Sequence, residues 1–183
     1  ALISAVALVL VPEGIKDVSV LMACRCFVGG ALAFMALDIY LAKKKTAGSQ
    51  LAAMLSDFVP ESVALGTTAA LGGGTMLLGV LIAVQNLPEG FNAYREMTPA
   101  NKNRSTKLIW IFVLMSLLGP IMSAVGFYYL ADFPVIMSGI MLFAAGGILY
   151  SVFQDIAPGI RMENHWLPPL GAILGFLVGL VGA

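Results

Sequence analysis

The chain has 183 residues, of which 60% are apolar and 11% charged. Soluble domains average roughly 45–50% apolar and about 25% charged, so this composition excludes an ordinary soluble globular domain, a disordered tail and a nucleic-acid binder. Ten Lys and Arg balance ten Asp and Glu, so no net field draws a polyanion.

A bilayer-spanning helix needs ~20 apolar residues. Seven apolar segments follow one another along the chain, over residues 1–12, 18–41, 50–71, 74–94, 108–130, 135–158 and 166–183. The first is short and opens in mid-run at Ala1, so the true N-terminus is expected to be missing; no cleavable signal peptide is visible. Gly72, Gly73 and Gly74 predict a tight turn between the third and fourth segments. Backbone groups in lipid must be satisfied within the segment, which favours helices. The apolar runs lack the period-two alternation of a membrane barrel. The predicted fold is therefore all-α: a polytopic transmembrane helix bundle forming one domain over residues 1–183. Recurrent glycines, among them Gly29-Gly30, Gly66 and Gly146-Gly147, predict close helix contacts. Cys24 and Cys26 read as buried free thiols, and Met54, Met76, Met137 and Met141 as core residues.

Charge placement orients the bundle. Lys43, Lys44 and Lys45 follow the second segment, Arg95, Lys102, Arg104 and Lys107 flank the link after the fourth, and Arg161 follows the sixth. If the spans alternate, these three links share one side, which the positive-inside rule makes cytoplasmic. The C-terminus then lies outside. His165 is read as a solvated interfacial residue, and Asp38 as reaching the inner interface.

A short word repeats. Val11-Pro12-Glu13-Gly14 ends the first segment, Val59-Pro60-Glu61-Ser62 lies within the third, and Leu87-Pro88-Glu89-Gly90 lies within the fourth. Ala157-Pro158-Gly159 is an echo without the acid. Pro60 cannot bond the carbonyl of Ser56, nor Pro88 that of Val84. Such breaks at membrane depth are tolerated where they line a cavity or are buried in protein. Asp57 precedes Glu61 by four residues and Gln85 precedes Glu89 by four, so each pair shares a helix face. Residues 49–94 are thus predicted to form a Pro-kinked helix pair that gathers Asp57, Glu61, Gln85 and Glu89 around one volume. A lone ionised group at the bilayer centre costs at least ~2.5–3.5 kcal/mol, and clustered carboxylates repel one another. Protons or a metal cation must share the site. Oxygen ligands suit hard to borderline divalent ions.

These residues resemble the ZIP (Zrt/Irt-like, zinc–iron permease) metal transporters. That family has eight spans; seven are visible here, with the first family span missing. Its fourth span carries His-Asn-x-Pro-Glu-Gly/Ser, which Asp57-Phe58-Val59-Pro60-Glu61-Ser62 resembles. Its fifth commonly carries Gln/His-Asp/Glu-x-Pro-Glu, which Gln85-Asn86-Leu87-Pro88-Glu89-Gly90 resembles. The resemblance implies a metal site at Asp57, Glu61, Gln85 and Glu89, with Asp57 replacing the family's usual histidine. Many members have a second, bridging metal position. Its residues correspond to Phe58 and Asn86 here and to the position before Pro120, which is Gly119, so a mononuclear site is expected. Gln154 and Asp155 lie near the family's inner exit and are candidate exit ligands.

The expected function is movement of a divalent metal cation toward the cytoplasm by alternating access, weakening at low pH because the ligands must be deprotonated. Zinc, iron, manganese and cadmium are the candidate cargoes, as substrates; no organic cofactor and no enzymatic activity is expected. One histidine cannot supply a His-Glu-x-x-His protease site. The alternative is a metal-binding membrane protein without transport, a sensor or structural subunit. The lipid bilayer is the expected surrounding, the plasma (inner) membrane the expected location, and a second copy of the chain a candidate partner.

Overall fold

The computed structural model describes residues 2–44, 49–72, 74–97, 102–159 and 167–182. Among them the structure is helical and contains no strand. Helix α1 is Leu2–Gly14, α2 Val20–Lys44, α3 Ser49–Ala70, α4 Thr75–Met97, α5 Lys102–Ser116, α6 Leu118–Val125, α7 Pro134–Ser151 and α8 Leu167–Gly182. The stretches Val20–Lys43, Leu108–Leu130 and Pro134–Gln154 are long and apolar enough to cross a membrane. Leu2–Gly14, Thr75–Phe91 and Leu167–Val181 are shorter apolar helices. These lengths fit an α-helical membrane protein.

The prolines are handled in three ways. In α3 and α4 the helix continues unbroken through Pro60 and Pro88. Ahead of Pro12 and Pro158 the helix widens into a π-turn, over Val6–Leu10 and Val152–Ile156. There Val11 N–H reaches the carbonyl of Val6, and Ala157 N–H that of Val152, so the missing proline donor is absorbed by a looser turn. At Pro120 the helix breaks instead. Helix α5 ends at Ser116, whose carbonyl Pro120 cannot bond, and Leu117 N–H makes a tight bond to the carbonyl of Leu114 at 3.2 Å. The apolar stretch 108–130, read as one segment in the sequence, remains one candidate span of 23 residues, locally interrupted at Leu117. A third π-turn, Gly126–Leu130, carries the exposed Tyr128 and Tyr129, an aromatic pair of the kind that sits at a membrane surface.

Helix α7 lies at the centre and is buried around most of its circumference, as an all-apolar helix must be. Met137, Met141, Ala144, Ala145 and Ile148 join Ala5, Val6, Val9 and Leu10 of α1, Ala64 of α3, and Leu78, Leu81 and Ile82 of α4 in one core cluster. Small residues set the closest approaches. Gly30 of α2 lies against the carbonyl of Phe143, and Gly146 of α7 against that of Phe27. Gly66 of α3 lies against the carbonyl of Ser123, and Gly126 against that of Val63. A Cβ at any of the four would collide with backbone, so α2–α7 and α3–α6 are two pairs in backbone-to-backbone contact.

Three sequence expectations are corrected. Gly29 has nothing within 4 Å of a Cβ, so only its neighbour Gly30 is a contact residue. Cys24 is exposed, and Cys26 is half-buried with its Sγ beside Gly139 of α7. Met76 is 82% exposed at the start of α4, whereas Met137 and Met141 are buried.

Candidate functional site

Helices α3 and α4 are joined by residues 71–74, where Leu71 N–H bonds the carbonyl of Thr67 at 3.0 Å and Gly72 adopts φ +71°. A positive φ is cheap only for glycine. The two helices fold back on each other and bring their proline words to neighbouring positions.

Two of the expected ligands meet. Glu61 is 1% exposed and Gln85 4% exposed, and Gln85 Nε2 donates to Glu61 Oε1 at 2.5 Å. The amide orientation follows from this bond, because a carboxylate can only accept. Gln85 Oε1 is left pointing into the interior, and among the described residues nothing donates to it. A buried acceptor without a donor costs roughly 1–3 kcal/mol, so a positive species beside it would be favoured.

The surroundings hold α3 in place. Ser123 Oγ of α6 donates to the carbonyl of Ser62, the residue after Glu61, at 2.8 Å. Thr67 and Thr68 turn their hydroxyls back to the carbonyls of Val63 and Ala64, at 3.0 and 2.8 Å. Thr67 Oγ1 also lies 3.0 Å from Met137 Sδ on α7. These hydroxyls satisfy their own helix and are not turned toward the Glu61–Gln85 pair.

The other expected ligands are placed differently. Glu89 is half-buried one turn beyond Gln85, and among the described residues no hydrogen bond or ion pair joins it to Glu61. Asn86 turns away from Gln85: its Nδ2 donates to the carbonyl of Ile82 at 2.8 Å, and it lines a separate apolar cavity with Phe58 and Phe112. Gln154 is exposed in the π-turn after α7. The side chains of Asp57 and Asp155, and all of His165, lie outside the described residues. Among the described residues no group of three or more His, Cys, Asp or Glu side chains comes together. The described part of the site is thus a carboxylate and an amide, both oxygen ligands.

One polar contact had no signal in the sequence. Asp38 does not simply reach outward; its Oδ2 accepts from the Tyr150 hydroxyl at 3.3 Å, beside Ser56 and Ser151 in a small recess between α2, α3 and α7. The two residues are 112 positions apart, and neither carries a local motif.

No family model matches the chain, and neither a curated protein nor a solved structure was found to match it.

Proposed function

We propose that the chain is a seven-span membrane transporter of the ZIP kind, moving a divalent metal cation toward the cytoplasm past Glu61 and Gln85. One observation carries this reading: two deeply buried polar side chains, on neighbouring proline-bearing helices, share a hydrogen bond that leaves the Gln85 carbonyl oxygen without a donor among the described residues. A purely structural pair would place its buried acceptors on donors. An oxygen-only set suits zinc, manganese or iron(II) without selecting one. Asp57 and Glu89, one helical turn away on α3 and α4, supply the remaining carboxylates as the ion passes. The lysines and arginines clustered at three links orient the chain with the C-terminus outside.

The test is metal flux into sealed proteoliposomes containing a trapped indicator dye. Uptake by the unaltered protein, lost in Glu61→Ala and in Glu89→Ala at equal incorporation, is expected. Metal binding without flux makes the protein a sensor or structural subunit. Unchanged uptake in both variants removes the proposal.

A further inference from the structure

Next to the Glu61–Gln85 pair lies the apolar cavity that Asn86 lines, of about 220 Å³, bounded by Met54 and Phe58 of α3, Asn86 and Gly90 of α4, and Phe112 and Met115 of α5. Two of its lining residues are polar, and their donors are already engaged. Asn86 Nδ2 is committed to the carbonyl of Ile82 at 2.8 Å, and Ser116 Oγ, at the rim, to the carbonyl of Val113 at 2.7 Å. What remains is a wall of aromatic rings and thioethers. A cavity lined by Leu, Ile and Phe, of roughly 150 Å³, stays dry and takes up benzene or xenon instead.

The cavity is open on one side. Its α5 wall, Phe112 and Met115, belongs to the stretch Leu108–Leu130 that is long and apolar enough to cross a membrane, and Val113, Leu114 and Leu117 are exposed on the rest of that stretch. Phe112 and Met115 lie four and seven residues into that stretch, about 6–11 Å along a helix rising ~1.5 Å per residue, which is acyl-chain depth in a single leaflet. We propose that this cavity is a binding site for one acyl chain of a bilayer phospholipid, which enters sideways between α4 and α5.

The driving force is contact and not transfer from water. Lipid tails are as apolar as the cavity wall, so no hydrophobic gain is available. An empty cavity, however, forfeits dispersion contacts on every wall, and the surrounding leaflet supplies chains at liquid density. Gly90 makes the room: a Cβ there would meet nothing within 4 Å. A chain in this place rests on Phe58 and Asn86, the residues next to Asp57 and Gln85. The inference does not depend on metal transport.

The full chain is reconstituted in phosphatidylcholine vesicles doped with phosphatidylcholine bearing a mid-chain diazirine, irradiated and mapped by peptide mass spectrometry. Adducts on Met54, Phe58 and Met115 are expected beside those on the open face at Leu114 and Leu117. Gly90→Leu and Ser116→Phe each fill or block the cavity. In either variant, adducts on Met54 and Phe58 are expected to fall about tenfold, equivalent to ~1.4 kcal/mol, while those on Leu114 and Leu117 persist as the control for folding and incorporation. Absence of inner-wall adducts in the unaltered protein overturns the proposal. So does inner-wall labelling that survives in a variant whose outer labelling is normal. Inner-wall labelling by a diazirine fatty acid but not by the phospholipid overturns it too, by assigning the cavity to free fatty acid.

Discussion

Phe58 fills the place that a side chain at residue 119 would take: a Cβ on Gly119 would lie 2.7 Å from Phe58 Cζ. The ring of one helix and the bare backbone of another are thus a matched pair, one turn from Glu61. The space beside residue 119 is filled by the Phe58 ring. Gly119→Ala is expected to destabilise the protein by ~1–3 kcal/mol, the usual range for overpacking. Adding Phe58→Leu should return part of that loss. Unfolding midpoints of the two single variants and the double variant measure the coupling; strictly additive effects would show that the ring and the backbone do not press on each other.

Glycines side by side in α2 provide a second test. Gly30→Ala drives a methyl into the Phe143 carbonyl, while Gly29→Ala enters open space. Gly30→Ala should cost ~1–3 kcal/mol and lower the yield of folded protein. Gly29→Ala should be neutral or stabilising, by up to ~1 kcal/mol from helix propensity. Thermal unfolding in one detergent compares them directly. Equal effects would contradict the α2–α7 contact.

The Glu61–Gln85 bond separates charge from hydrogen bonding. Gln85→Leu removes the amide that donates to a buried carboxylate, and is expected to destabilise the metal-free protein by ~1–3 kcal/mol. Glu61→Gln keeps the shape and removes the charge, so the metal-free protein should be no less stable than before. A cation at a hundred times its dissociation constant stabilises its host by ~2.7 kcal/mol. That rise in unfolding temperature should appear in the unaltered protein with zinc or manganese and vanish in both variants. A full rise in either variant would place the ion elsewhere.

Tyr150→Phe removes the hydroxyl that reaches Asp38 across α2 and α7. At 3.3 Å and half-buried the bond is a modest one, and its loss should cost ~0.5–1.5 kcal/mol. Asp38→Asn retains an acceptor and should cost less. Unfolding midpoints rank the two; the reverse order would mean that Asp38 is held by another group.

Much of this molecule can be read from local words. Apolar run lengths mark the helices, because a segment in lipid must satisfy its own backbone. The four-residue spacing around each proline put Gln85 on the face that meets Glu61, since helical periodicity is a local property. What could not be read depends on neighbours distant in the chain. Gly29 and Gly30 are the same residue in the same run, and only the position of Phe143 distinguishes them. Asn86 looks as able a ligand as Gln85, yet a rotation of one residue turns it into an apolar cavity. The words around Pro12, Pro60 and Pro120 do not announce whether a proline is met by an unbroken helix, a π-turn or an interruption.

The four-residue reversal at Gly72 bears on how the protein is made. In the proposed transporter, either site helix entering the bilayer alone would present its carboxylates to hydrocarbon, at ~2.5–3.5 kcal/mol for each charge held at mid-depth. The partner that shields them emerges from the ribosome only a few residues later. In the proposed transporter the pair is therefore suited to leave the translocon as a preformed hairpin, with Glu61 covered by Gln85, and lengthening that reversal should be felt first as failed biogenesis.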